Sequence, residues 1–464
     1  MISLIDTAII IGYLLLMLVI GFIAGKRENL EGYLVNNRKT KTIFLIFTIV
    51  STSVGMGVFL GISSAAYKTG ISYGLTLMIA SVLSLLLVAY FAPRIKHFGD
   101  KHKAHTLGDW FAIRYSNKNR LLVSIIILIA YFFLAALQFV GIAGLINVIS
   151  GLDFTIALVA ASLITIIYTT AAGIKSDFYT DAVQFVIMMF TLFLVLLPLS
   201  LIKSGGLSFF NSLPASHFNP FAFGGISFFL GGIVLGAPLL LVSMEIWQRI
   251  FAATTEREAK KVYLWSALLL VIFFIPAILL GLIAFKAVPG INPDFALFEL
   301  MKQGLPAGFM GLGIAGILAA AMSTIDSIIL VGSATILKDI HKTFINPNLT
   351  EKQMLRLGRI YTFFYGLLGL IAAYLIPHII KLQIISGSAL LVLSPAAIGG
   401  FIWKKSTAKA SFWSILTGII VTFSLYPLMP TLSFIPGTLT SLVLFIIISK
   451  LTYKEKITAP KTSS

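Results

Sequence analysis

Cysteine is absent from all 464 residues, which excludes disulfides, thiol catalysis and thiolate metal sites. Charge is scarce as well: Asp, Glu, Lys and Arg make up 11% of the chain, against about 25% in soluble domains. The six histidines (His97, His102, His105, His217, His341 and His378) all fall in or beside polar connecting segments. Three of them are neighbours, yet the KHKAH run among lysines reads as a loop turn rather than a metal site. A P-loop, a dinucleotide fingerprint, an H-E-x-x-H pair and a nucleophile elbow are all missing. The chain therefore lacks an ATP-driven engine and the usual enzyme constellations. No pore selectivity sequence is present either. Only MISLID precedes the first apolar run, without the basic region of a cleaved leader, so that run reads as a membrane span.

What is present is apolar: 58% of the residues are hydrophobic and the mean hydropathy is +1.00. The runs predict an all-α polytopic membrane protein with about 13 transmembrane helices, at 5–23, 42–65, 71–93, 119–149, 153–172, 178–200, 221–246, 262–285, 306–337, 355–376, 379–402, 410–428 and 433–450. Most reach the roughly 20 residues needed to cross the hydrocarbon layer. Helices are required because uncovered backbone is too costly in lipid, and the runs are too long for barrel strands. So little chain remains that no domain outside the membrane is large enough to hold its own core.

The cations sort by side. Of the 34 Lys and Arg residues, Lys68, Lys203, Lys286, Lys302 and Lys381 fall on one side of such a bundle. The other 29, at 26–41, 94–120, 249–261, 338–359, 404–409 and 450–461 together with Lys175, fall on the opposite side. The positive-inside rule then puts the N-terminus outside and the C-terminus in the cytoplasm of a cell-membrane protein. The formal charge of +17 is spread over short loops rather than one basic face, so its expected partner is anionic lipid and not nucleic acid.

Polar groups inside the spans carry the chemistry. In AAAMSTIDSIILVGS (319–333), the spacing puts Ser323, Thr324 and Ser327 on adjoining parts of one helical surface. These hydroxyls, with free backbone carbonyls, suit a small alkali cation; they equally suit a small-residue packing seam. VSTSVGMGVFLGISS (50–64) carries Gly55, Gly57 and Gly61, which permit an interrupted helix or a close helix contact. The seventh run is also interrupted, by five glycines between 224 and 236 and then Pro238. Two interrupted spans five apart suggest two halves, spans 2–6 and 7–11, related as an inverted repeat; this reading rests on composition.

Intramembrane acids are few. Asp181, with Gln184 behind it, opens the sixth span as a cation ligand or a helix cap, and Asp326 stands between the hydroxyls as a functional acid or an interhelical hydrogen-bond partner. Glu245 closes the seventh span as a functional acid or, more blandly, as the partner of Arg249 one turn on. Gln138, Trp247 and Gln383 are candidate solute contacts, though Gln138 also suits a helix tie and Trp247 an interface anchor.

Taken together, EGYLVNNRK (31–39), GVFLGISSAAYKTG (57–70), GIKSDFYTDAVQ (173–184), QRIFAATTEREA (248–259) and AAAMSTIDS (319–327), with Asp6 and Tyr13 in the first span, resemble the sodium:solute symporter family over nearly the whole chain. That family includes bacterial proline and pantothenate permeases and sodium–glucose cotransporters. The resemblance implies a five-plus-five inverted-repeat (LeuT-like) core with interrupted helices: a leading helix at 5–23, repeats at 42–200 and 221–402, and two trailing helices at 410–450. It implies a sodium (Na+) site made by the carbonyls of Ser51, Val54 and Ala320 with the hydroxyls of Ser323 and Thr324. A second sodium in some members corresponds to Asp181 and Ser327. Ser53 stands where the proline-transporting branch has an acid, and the GQPH run of that branch is replaced by LGAPLLLVSMEIWQR, so proline specificity does not carry over. Solute contacts are expected among Ser53, Gly57, Gln138, Trp247 and Gln383. The function implied is sodium-coupled uptake of a small organic solute by alternating access, for which a monomer suffices. A proton-coupled carrier on the same fold and a non-transporting solute sensor are the rivals.

Overall fold

The computed structural model describes residues 3–24, 29–171 and 173–453. Its helices are α1 (Leu4–Ala24), α2 (Thr42–Ser53), α3 (Gly57–Thr69), α4 (Ser72–His102), α5 (Asn117–Ser150), α6 (Phe154–Ala171), α7 (Ile174–Lys203), α8 (Gly225–Val234) and α9 (Met244–Ala252). They continue with α10 (Glu256–Ala287), α11 (Phe309–Ile345), α12 (Glu351–Leu375), α13 (Ile379–Ile402), α14 (Ala408–Leu425) and α15 (Phe434–Thr452).

Ten of the described helices are long and apolar enough to cross a membrane, eleven when the bent pair α2–α3 counts as one. The other two predicted spans are shorter than expected, with apolar stretches of Phe154–Ile167 in α6 and Gly225–Val234 in α8. The causes are local. Thr169 and Thr170 make the end of α6 polar, and the turn through Gly236 and Pro238 stops α8.

α11 is the central helix, buried almost without interruption from Met310 to Thr335. Around it stand α1, α2, α5, α7 and α12, while α10 packs along α4 and against α2–α3. Peripheral helices point aliphatic side chains outward, as Leu15 and Val19 of α1 and Val443 and Ile447 of α15 do. That pattern is what a lipid solvent selects, since apolar exposure costs nothing there.

The connecting segments meet in two separate groups. At one end, Ile71 N–H donates to His217 O (2.9 Å), Ser64 to Asp294 (2.9 Å), Tyr67 to Val288 O (3.0 Å), and Lys203 to Gln303 O (3.0 Å). Asp6 accepts from the backbone of Gly308 and Gly311 there, both at 2.7 Å, fixing the start of α1. At the other end, Arg38 pairs with Glu31 (2.8 Å) and donates to Ala104 O (2.8 Å), Arg120 reaches Asp109 (2.7 Å) and Thr343 (2.9 Å), and His97 faces Glu256 (3.0 Å). These are the loops that charge alone separated into a sparse and a cation-rich set. The cationic positions at 26–27 and 454–461 lie outside the described residues.

Candidate functional site

The helix break after Ser53 is built by sequence and held by α11. Val54 leaves the helical region (φ −104°, ψ 52°) and the two halves meet at 47°. Gly55 cannot carry a side chain, because a Cβ there would lie 2.4 Å from Thr324 Oγ1 and 2.9 Å from Gln138 Oε1. Breaking a helix frees carbonyls that need partners in an apolar interior. Ser323 Oγ lies 3.1 Å from both Ser51 O and Ala320 O. Thr324 Oγ1 lies 3.0 Å from Thr52 O and 3.1 Å from Ala320 O. Ser51, Ala320, Ser323 and Thr324 are thus brought together, Val54 stands at the break itself, all are buried, and Thr52 joins them as a carbonyl that sequence reading left out. The cradle holds neutral oxygens only.

One turn along α11 lies a second polar cluster of opposite character. Ser327 Oγ donates to Asp177 (3.0 Å) and contacts Thr52 Oγ1 (3.2 Å). Thr48 hydrogen-bonds Asp181. Between them stands Arg249, whose Nη2 is 3.0 Å from Asp177 and 3.7 Å from Asp181, hydrogen-bonds Ser327, and whose guanidinium lies over the Phe178 ring at 5.3 Å. Three expectations are corrected here. Arg249 is buried inside the helix bundle rather than a loop cation, and its salt-bridge partners are Asp177 and Asp181 rather than Glu245. Asp181 does not cap its helix: α7 begins at Ile174, seven residues earlier, and Asp181 is a buried interior residue. Asp181 and Ser327 do share one cluster, but a protein cation already occupies it. Asp326 faces the other way and accepts from Thr169 of α6, an interhelical hydrogen bond.

A cavity of about 170 Å³ lies beside the first break. Ser53, Gly57, Gln138 and Gln383 all line it, as do Gly55 and Thr324 of the cradle wall. Gln138 accepts from Met56 N–H (2.9 Å), so it ties the broken span to α5 as well as facing the cavity. Trp247 is not there. It is fully buried, donates to Leu241 O (2.7 Å) and packs with Trp110, Phe251 and Phe401 beneath the second break. An indole at the start of a helix suits the membrane interface, but the chain turn at 236–243 folds this one inward. An adjoining cavity shares Leu77, Ser81, Leu239, Leu240, Gln383 and Gly387 and runs to Tyr73, Phe228 and Phe434, toward the end with few cations.

Asp177, Arg249 and Tyr131 are the groups that sequence reading missed. Asp177 had a signal, since Asp177 and Asp181 are one turn apart on one helical face. Arg249 had the weaker signal of a cation just past an interrupted span. Tyr131 had none. It lines the cavity, accepts from the Met244 amide at the start of α9 (2.8 Å) and hydrogen-bonds Glu245, a pairing set by tertiary structure alone.

Two broken helices crossing a hydroxyl-bearing central helix define the class of secondary transporters whose sites lie at interrupted spans. The sodium:solute symporter family model matches residues 33–418, and the chain belongs to that family. It is 27% identical to the sodium/proline symporter of Haemophilus influenzae, with 96% of this chain and 94% of that one covered. It is 25% identical to the sodium/pantothenate symporter of Escherichia coli, with 94% and 95% covered. Among solved structures, a Na+-coupled sialic acid symporter in a substrate-bound outward-open state superposes with a TM-score of 0.83 at 21% identity, covering 97% and 98%. The fold is the LeuT-like all-helical one, and Na+ is the coupling ion.

Proposed function

We propose that this chain carries a small organic solute into the cell by alternating access, driven by one sodium ion per cycle. The observation that carries the reading is the meeting of the Ser323 and Thr324 hydroxyls with carbonyls of Ser51, Thr52 and Ala320 across the break. Sodium is held by the carbonyls of Ser51, Val54 and Ala320 and those two hydroxyls. The hydroxyl protons that now bridge the oxygens rotate away when the cation arrives. Bound sodium fastens α2–α3 to α11, and because Gly55 and Thr324 also line the cavity, that fastening completes the solute pocket. Ser53, Gly57, Gln138 and Gln383 contact the solute. Ion and solute then strengthen each other's binding by the same factor. Arg249 supplies the positive charge among Asp177, Asp181 and Ser327, which is why one sodium suffices.

The repeats run over 42–200 and 221–402, and spans 2, 3, 7 and 8 rock as a bundle against the rest. The end with few cations faces outside and the cation-rich end faces the cytoplasm, where anionic lipid is its partner. A single cation crossing 100 mV supplies roughly 2.3 kcal/mol, and a tenfold gradient adds about 1.4 kcal/mol. Together these support accumulation of several hundredfold, enough for scavenging by a monomer.

The test is uptake by proteoliposomes under an inward sodium gradient. Replacing sodium with choline at fixed pH is expected to abolish accumulation. Undiminished uptake in choline, driven by a pH gradient, would instead establish proton coupling, and ligand binding without accumulation would establish a sensor.

A further inference from the structure

The solute cavity is lined by one carboxyl group that forms no salt bridge among the described residues. Glu245, the second residue of α9, lines it together with Gly57 and Gln383. Its side-chain hydrogen bond is with the hydroxyl of Tyr131. That hydroxyl accepts from the Met244 amide and has one proton, which it donates toward the Glu245 carboxyl group. Arg249, one turn along the same helix, forms its salt bridges with Asp177 and Asp181. Lys, Arg and His are absent from the described lining of this cavity and of the one adjoining it. A carboxylate in a mostly apolar chamber is costly unless a proton or a cation joins it, and in its charged form it repels any anion that enters.

We infer that the transported solute bears an ammonium or guanidinium group and that Glu245 is the residue that pairs with it. This rests on the reading of the cavity as the solute site of a sodium-coupled carrier. Tyr131 positions the carboxylate by holding one side of it. The Gln383 side chain, whose Oε1 has no hydrogen-bond partner among the described residues, supplies a further acceptor across the cavity. Leu134 and Phe274 form an apolar wall for the carbon skeleton. An organic cation is thus matched at both a charged and a neutral acceptor, whereas a monocarboxylate meets no donor with charge.

The test is current measurement on proteoliposomes adsorbed to a solid support, which needs no labelled solute. The panel is ethanolamine, putrescine and agmatine as amines, glycerol and myo-inositol as polyols, and lactate and succinate as carboxylates. Amines are expected to evoke sodium-dependent currents and the other classes none. Glu245→Gln is expected to raise the half-saturating amine concentration at least tenfold, and Glu245→Asp, which keeps the charge, to recover part of that loss. The inference is overturned, with sodium coupling intact, by sodium-dependent currents from polyols or carboxylates while amines are silent. An amine response unchanged in Glu245→Gln, or a panel silent throughout, overturns it as well. Amine currents that persist without sodium would overturn the coupling reading and leave the pairing standing. Should Glu245→Gln fail to fold, the wild-type panel and Glu245→Asp decide the matter.

Discussion

Two polar clusters sit one helical turn apart on α11, and they solve the cost of burial in opposite ways. At Ser323 and Thr324 the groups are neutral, and hydroxyls satisfy carbonyls released by the break in α2–α3. At Ser327 two carboxylates are gathered, and Arg249 is locked between them. The first cluster has oxygens to offer and no resident charge, so a mobile cation gains ligands there without displacing anything covalent. The second has a cation that cannot leave. On the proposed one-ion cycle, the difference accounts for an acid and a serine kept at the positions of a second ion site. Carboxylates alone do not mark a sodium site; their charge balance does.

The sharpest way to break this comparison is to remove the resident cation. Arg249→Ala leaves Asp177 and Asp181 buried without a counter-charge, and loss of one partner from such a group costs about 3–5 kcal/mol. Much of the folded protein should disappear, read as yield and melting temperature in detergent. Arg249→Ala combined with Asp177→Asn should recover part of the loss, because it removes one of the stranded charges. Normal melting of Arg249→Ala in sodium-free buffer would show that the arginine is dispensable and that the two clusters do not differ as argued.

The neutral cradle should respond in function rather than in folding. Ser323→Ala and Thr324→Ala each remove one hydroxyl that closes the break, and a hydrogen bond to a charged group is worth roughly 1.5–3 kcal/mol. The sodium concentration for half-maximal uptake should therefore rise about tenfold or more, with solute affinity at saturating sodium nearly unchanged. The same assay sharpens the contrast at Asp181→Asn: the Hill slope for sodium and the charge moved per solute should stay at their one-ion values. A drop in either would mean that a second sodium does enter beside Arg249.

Much of this was legible in the sequence, and the reasons are specific. Each predicted span corresponds to a helix or a broken pair, because lipid leaves the backbone no alternative and apolar runs record it directly. The cradle was legible because Ser323, Thr324 and the glycines at 55 and 57 are local patterns with local consequences. Four of the five candidate solute contacts line one cavity for the same reason: Ser53 and Gly57 flank the break itself, and Gln138 and Gln383 are rare polar residues in apolar runs. What sequence spacing misjudged were pairings. Glu245 and Arg249 have ideal i,i+4 spacing, yet the start of α9 turns the former to Tyr131 and the latter to Asp177. Spacing along one helix cannot weigh a stronger partner supplied by another. Trp247 failed likewise, because the turn at 236–243 decides whether that ring meets lipid or the core.

The smallest effect belongs to a third arginine–carboxylate pair, at the cation-rich end, where water is within reach. Arg38 lies 2.8 Å from Glu31, and His105 Nε2 lies 2.6 Å from the other Glu31 oxygen. The hydrogen bond from His105, with Arg38 adding to it, outweighs partial burial and holds Glu31 at about 2. Burial pushes His105 below its ordinary 6.5, so it is neutral in the fold and donates to Glu31. Both shifts have one sign. The folded state resists a proton that the unfolded chain accepts, so stability is complete above 6.5 and declines as pH falls. His105 contributes the decline that begins at 6.5, and Glu31 the decline that begins at its unfolded 4.5 and ends near 2. Melting curves from pH 7.5 to 4 should therefore fall by less in His105→Gln than in the wild type. Glu31→Gln should lower stability at neutral pH and flatten the steepest acid limb. Because Glu31 is about a third exposed, water screens this pair, and the change should be well below that of Arg249→Ala. Equal losses at Arg38 and Arg249 would mean that depth in the bundle does not set what a buried cation is worth.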